Sequence, residues 1–555
     1  MISSFRLRFG RTPGSAGDEI LASPVTIFVG PNNSGKSKVL AEIESFCRLE
    51  YGNSGVLILD DVVFSGLGPD EAQQALKRFD TVQSPDGNVY IIVGTHDISR
   101  NVPPQHLMEI IQNPHSNVHQ FCEWFLYPAI LMLDGRTRID LVNSQEAGDF
   151  LSTPKWQRKS FLTLFRDDRK RNEVRRIIYE AFDSYFIIDP TSDRLRVRFS
   201  PRAPSSVVEE RGLHEEALEF YSQAQLIDNM SDGVKAFTGI IIEMIAGDPH
   251  VLLIDEPEAF LHPSLVSKLG SEVSLAASAS GKRVFASTHS AAFVMGCVQS
   301  GVPVSIVRLT YRDEVATSRV LPSEDILELM RKPLLRSLGV LNGLFYEFVV
   351  VAESDTDRVF YQEINERLLR FRPEWGIPNC LFINAQNKQT IPTIVRPLRK
   401  LGIPAVGIVD IDVLKNRSNE WKDLLSSVGV PNILRESLGS VKSKIRQSMD
   451  ETGLDMKRNG GINILDGEEK EAVETLFSQL SDYGIFVVPG GELESWLSSV
   501  ESSGHGPVWL ARIFEGMGED PSDPGYVKPT DGDVWQFLCE IKNWLINPNR
   551  KGIPE

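Results

Sequence analysis

The 555-residue sequence predicts an α/β protein in two parts, each built on a parallel sheet flanked by helices. Two sharply apolar runs, "VTIFV" at 25–29 and "VLLID" at 251–255, stop on a glycine-rich and an acidic turn, as buried parallel strands do. After residue 345 the pattern restarts. "YEFVVVAESDTDRVFYQEI", "CLFINAQNKQTIPTIVRPLRKLGIP" and "AVGIVDID" alternate strand with helix, which argues for a second, smaller parallel sheet. Length agrees, because a single core does not grow to this size. The expected division is 1–340 and 346–555, the latter ending in a helical part.

Composition is ordinary for a globular chain, 41% hydrophobic and 24% charged, so neither disorder nor a fibrous repeat is indicated. A net charge of −17 argues against a surface coated with basic groups for nonspecific DNA or membrane adhesion. It leaves room for a local basic groove, since phosphate affinity depends on where Lys and Arg cluster. Cys47, Cys122, Cys297, Cys380 and Cys539 are odd in number and contain no CxxC pair, which excludes a zinc module or disulfide framework. "MISSFRLRFG" lacks an apolar leader core, and no run nears the roughly 18 apolar residues of a membrane span. A soluble, cytoplasmic protein without membrane contact is expected.

"VTIFVGPNNSGKSKVLAEI" reads as strand, glycine-rich turn and helix, with Gly30, Asn33, Gly35, Lys36 and Ser37 inside GxxxxGK[ST]. In that geometry backbone N–H groups surround phosphate oxygens, Lys36 neutralises the β and γ charges of ATP, and Ser37 ligates Mg²⁺. The strand "VLLID" ends in Asp255, placed to hold Mg²⁺, and is followed by Glu256, placed to activate a water. His289 closes "VFASTHS" about 30 residues later, where a γ-phosphate sensor is expected. No Q-loop residue is assigned, although 127–139 is a plausible region.

Between these motifs no sustained heptads appear, so no long coiled-coil arm is predicted. The stretch 154–182 is helical in pattern, with Phe161, Leu164, Phe165, Ile177, Ile178 and Phe182 on one face. It also carries Arg158, Lys159, Arg166, Arg169, Lys170, Arg171, Arg175 and Arg176, the best candidate contact with a nucleic-acid backbone.

In the second half Glu353 ends one apolar strand, and Asp410 and Asp412 end another. Functional groups gather beyond the carboxyl ends of parallel strands. Three carboxylates converging there repel unless a divalent cation neutralises them, and hard oxygen ligands favour Mg²⁺ or Mn²⁺.

The set "GPNNSGKS", "MSDGVK", "LLIDEPEAFLHP" and "STHS" is similar to the ABC-type ATPases of DNA maintenance and repair. Ser231 and Gly233 then occupy the nucleotide-contacting positions of a degenerate ABC signature, and the resemblance implies dimerisation of the ATPase heads around ATP. Residues 346–500 resemble the Toprim domain shared by topoisomerases, primases and OLD-family nucleases. That likeness adds Asp357 and Glu494 as metal ligands, with Glu492 competing for the latter role, and a catalytic lysine, Lys528 or alternatively Lys542. A topoisomerase needs a tyrosine on a further domain and a primase of this group a zinc module, and neither is found.

ATPase followed by Toprim is the layout of the OLD family, including Gabija-type and retron-associated anti-phage effectors. The resemblance implies an ATP-regulated, divalent-metal-dependent DNA endonuclease or nickase. It would act as a homodimer or higher homo-oligomer, with a defence-system protein or retron RNA/DNA as further partner. The competing expectation is an ATP-driven DNA-binding scaffold or sensor whose Toprim half binds without cleaving. The polar segments 10–19 and 413–470 depart from the pattern.

Overall fold

A computed structural model describes residues 1–48, 55–77, 79–94, 99–146, 159–500 and 502–553. They form two compact units, Met1–Leu327 and Glu328–Glu555. The break falls ahead of the expected 340–346, because the segment Val340–Phe345 packs into the second unit. Leu341 and Leu344 are buried, and a Cβ on Gly343 would stand 2.9 Å from Leu398 and 3.3 Å from Val349.

The first unit is built on a six-stranded sheet in the order 315–321, 304–312, 25–29, 283–287, 251–255, 130–133, parallel except for the hairpin partner 315–321. Central strands of such a sheet are covered on both faces. That is why Val25–Val29 and Val251–Ile254 read as unbroken apolar runs, every residue buried. The P-loop helix Lys36–Arg48 buries Val39, Leu40, Ile43 and Cys47, the i, i+1, i+4, i+8 stripe of an amphipathic helix. Glu42 on the same helix is also buried and accepts from three backbone N–H groups, of Leu57, Ile58 and Leu59, at 2.8, 3.0 and 2.8 Å. It ties the helix to the strand Leu59–Phe64, the edge of an antiparallel ribbon ordered 19–21, 2–7, 59–64.

The basic stretch forms two helices, Ser160–Arg166 and Asp168–Phe182, broken at Asp167, whose carboxylate accepts from Lys170 N at 3.0 Å. Its expected apolar residues Phe161, Leu164, Ile177 and Ile178 are buried. Part of its charge is paired within the unit, while Lys159, Arg166 and Arg169 are exposed. Arg171 is buried against Glu210 and Asp168, Arg175 pairs with Glu210, and Arg176 pairs with Glu173, Glu180 and Glu272. Arg158 and the start of the expected helix lie outside the described residues.

The second unit carries a four-stranded parallel sheet in the order 380–384, 348–352, 405–409, 485–487. Helices Asp355–Phe371 and Ile391–Lys400 make the first two crossovers. The polar segment 413–470 is chiefly helical, with Ser418–Ser427 and Asn432–Glu451 ahead of the crossover helix Gly467–Ser481. Among the described residues no helix is long and apolar enough to cross a membrane. All five cysteines are free thiols.

Arg399, 1% exposed, donates to four backbone carbonyls and to no carboxylate: Ala405 at 2.8 Å, Val428 at 3.1 Å, Gly552 at 3.3 Å and Tyr483 at 2.8 Å. Burial pushes its guanidinium down to about 9. Arg399→Leu strands these carbonyls without donors and is expected to cost about 2–4 kcal/mol, read as an earlier urea midpoint for the second unit.

Candidate active sites: a phosphate loop and a carboxylate cluster

The turn after Val29 is shaped by residues that accept left-handed backbone. Gly30 has φ +145°, and a Cβ there would lie 2.0 Å from the carbonyl oxygen of Leu309; Gly35 has φ +92°. Asn33 takes φ +62°, a conformation Asn tolerates better than most residues. Lys36 folds over this loop, its ammonium donating to the carbonyls of Gly30 at 3.0 Å and Pro31 at 2.6 Å. Burial pushes it down to about 8, against the opposing pull of Glu256 and Asp255. Ser37 Oγ donates to Asp255 Oδ1 at 2.8 Å, so the hydroxyl and the carboxylate expected to share Mg²⁺ stand together beside the loop.

Glu256 has φ +50°, and its N–H donates to Ser287 O at 2.8 Å, bending the chain away from the sheet. His289 is held through its backbone N–H, which donates to Glu258 Oε1 at 2.6 Å, while Thr288 Oγ1 donates to the other oxygen at 2.7 Å. Burial, then the charge of Lys36, pushes His289 down. Ser231 is exposed at the start of helix Asp232–Ile245, and Gly233 is buried where a Cβ would stand 2.4 Å from Phe260 O.

The sequence reading missed Arg138. Its side chain, 1% exposed, donates to Asp134 O at 3.0 Å, Glu256 O at 2.5 Å and Asp255 O at 3.1 Å. It therefore clamps the main chain that aims both acids. It lies inside 127–139, the region left without an assigned residue, but neither arginine of "DGRTRI" carries a periodic signal.

In the second unit the strands Phe348–Ala352 and Ala405–Val409 are adjacent, so Glu353 and Asp410 leave the sheet side by side. Glu353 Oε1 accepts from Asp410 N at 3.0 Å, and a carboxylate oxygen from each of Glu353, Asp410 and Asp412 falls within 4.8 Å of the others. Burial first, and the charge of Asp410 second, push Glu353 up to about 8; burial also pushes Asp410 up to about 6. Asp412 Oδ1 is buried with no protein hydrogen-bond partner. An all-oxygen set with an orphaned carboxylate atom fits a hard divalent cation such as Mg²⁺ or Mn²⁺.

Glu492 and Glu494 fall together with His505 in a second cluster, whose ligand atoms also lie within 4.8 Å of one another. His505 Nδ1 stands 2.6 Å from Glu494 Oε1. Asp357 caps helix Asp355–Phe371, its Oδ2 accepting from Ser354 N at 2.9 Å and Ser354 Oγ at 2.5 Å. Burial raises it, and it feels the charges of Glu494 and Lys457.

The expected lysine is elsewhere. Lys528 is exposed, with its ammonium 5.4 Å from the ring centroid of Phe371, the last residue of that 17-residue helix. At 1.5 Å per residue it stands about 20 Å from the end that carries Asp357. Lys542 bonds the carbonyl of Glu374, beyond the same far end. The site's lysines are Lys457, 2.7 Å from Asp410 Oδ2, and Lys388, 2.7 Å from Asp412 Oδ2. Lys457 comes from the polar segment 413–470, where the sequence offers only the glycine pair Gly460–Gly461 as a hint of a tight approach.

Residues 136–295 match a family model described as "AAA domain, putative AbiEii toxin, Type IV TA system". The Old nuclease of Escherichia phage P2 is 26% identical over 262 residues, covering 44% of this chain and 43% of that protein. The chain is thus similar to an OLD-family nuclease and carries a match to an ATPase-domain model. It matches less than half the length of that curated relative. Among solved structures, the chain aligns with an Smc head bound to the C-winged helix domain of ScpA at 14% identity. That alignment spans 59% of this chain and 99% of the other, with TM-score 0.33. The SMC head domain from Thermotoga maritima aligns at 12% identity over 58% and 99%, with TM-score 0.30.

Arg138→Met is expected to lower the ATP turnover number by about tenfold or more while nucleotide affinity changes little, measured by steady-state hydrolysis beside nucleotide titration. Glu353 and Asp410 are raised from ordinary values of 4.5 and 3.8, so folding favours their protonated forms. The stability this confers is complete below those ordinary values and is lost as pH rises through about 8. Metal-free protein should therefore show a falling melting temperature across that window, and millimolar Mn²⁺ should remove the fall.

Proposed function

We propose that the chain is an ATP-regulated, divalent-metal-dependent DNA endonuclease or nickase whose second unit is a Toprim nuclease domain, acting in anti-phage defence. The observation that carries this is the convergence of Glu353, Asp410 and Asp412 at the carboxyl ends of adjacent parallel strands, with Asp412 Oδ1 left unpartnered. A second phosphate-handling site in the same chain and the likeness to a nuclease support it.

A divalent ion held by Glu353, Asp410 and Asp412 supplies Lewis acidity toward a phosphodiester and its attacking water. Glu492, Glu494 and His505 offer a second ligand set, with Asp357 beside Glu494. The chain's own part is orientation. Asp410 N–H holds the Glu353 carboxylate in place, and the Ser354–Asp357 cap fixes the helix start behind it. In the first unit Lys36 and Ser37 engage ATP phosphates and Mg²⁺, Glu256 orients the hydrolytic water, and His289 senses the γ-phosphate. Ser231 and Gly233 complete the nucleotide site of a second copy, so that ATP joins a homodimer.

Glu353→Gln is expected to reduce plasmid nicking in Mg²⁺ or Mn²⁺ by about a hundredfold or more while ATP hydrolysis stays within about twofold. Lys36→Ala is the reciprocal control, losing hydrolysis. Full nicking by Glu353→Gln, or none by the wild type in either metal with and without ATP, would refute the reading.

A further inference from the structure

Lys457 stands between the two carboxylate clusters. Its ammonium is 2.7 Å from Asp410 Oδ2 and 3.8 Å from Glu492 Oε2, so one cation serves both sets. The approach is built into the backbone. Gly491 has φ +115°, and a Cβ there would lie 2.2 Å from Lys457 O; Gly461 has φ +63°, and a Cβ there would lie 1.9 Å from Pro489 O. Ile462 N also donates to Pro489 O at 2.9 Å. The turn bearing Lys457 is thus fastened main chain to main chain onto the turn that leads into Glu492, at positions only glycine tolerates.

Asp410 and its neighbours are crowded like charges, and an ammonium within hydrogen-bond distance relieves them when no metal is bound. A divalent ion held by Asp410 would repel an ammonium already seated on that carboxylate. The two cations compete for one anion. Resting on the metal-site reading above, we propose that Lys457 is a resident counter-cation, exchanged for the divalent ion as the site loads. Its ammonium leaves Asp410 for the side of Glu492, where it faces the anionic substrate. Metal occupancy then requires an ion concentration high enough to displace the lysine, and the displacement couples the two clusters.

Manganese titration of the full chain by calorimetry, comparing wild type with Lys457→Met and Asp410→Asn, tests this. Lys457→Met should bind Mn²⁺ roughly three- to tenfold more tightly, because the competitor has gone. Amine-reactive labelling of wild type provides a readout independent of any variant. Lys457 should become more reactive when Mn²⁺ is added, while exposed lysines such as Lys528 hold steady. Unchanged or weaker Mn²⁺ binding by a folded Lys457→Met overturns the proposal. Should that variant fail to fold, labelling of Lys457 that ignores Mn²⁺ overturns it. A wild type showing no Asp410-dependent Mn²⁺ binding sinks the metal-site reading together with it.

Discussion

Repulsion among acids at the tips of buried parallel strands governs both halves of this chain. A carboxylate placed where an apolar strand emerges is poorly solvated, and a second one beside it raises the cost of ionising either. The protein meets that constraint with cations of its own. In the first unit Asp255 and Glu256 lie within reach of the charge of Lys36, and Arg138 grips the main chain beneath them. In the second, Lys457 and Lys388 each pair with one aspartate of the DxD motif. The positive groups differ in kind: the arginine is spent on carbonyls and fixes position, whereas the lysines sit directly on carboxylates and can be exchanged.

How far the sequence revealed this depends on the type of information each residue carries. Strand-terminal groups were legible, because a buried parallel strand is an unbroken apolar run and its end is visible to within a residue. Asp255 closes its strand, and Glu353 and Asp410 each follow the last residue of theirs. Asp357 was named as a ligand from family likeness, and its carboxylate also caps its own helix through Ser354. Glu492 and Glu494, the two alternatives for one role, lie together in one cluster with His505.

Residues delivered by short connecting elements were not legible. Arg138 and Lys388 sit on single helical turns and Lys457 and His505 on turns between elements, and no periodicity marks them. Lys528, implied by the family likeness, lies away from the carboxylates, while the polar segment 413–470 supplies Lys457. The basic stretch is legible only in part. Arg171, Arg175 and Arg176 are paired with Glu210 and Glu272, acids distant in sequence, whereas Lys159, Arg166 and Arg169 are exposed.

The triple grip of Glu42 on Leu57, Ile58 and Leu59 gives the P-loop helix a stiff outrigger. Because one buried carboxylate makes all three bonds, a substitution at Glu42 would release the helix and the start of the strand Leu59–Phe64 from each other at a single stroke.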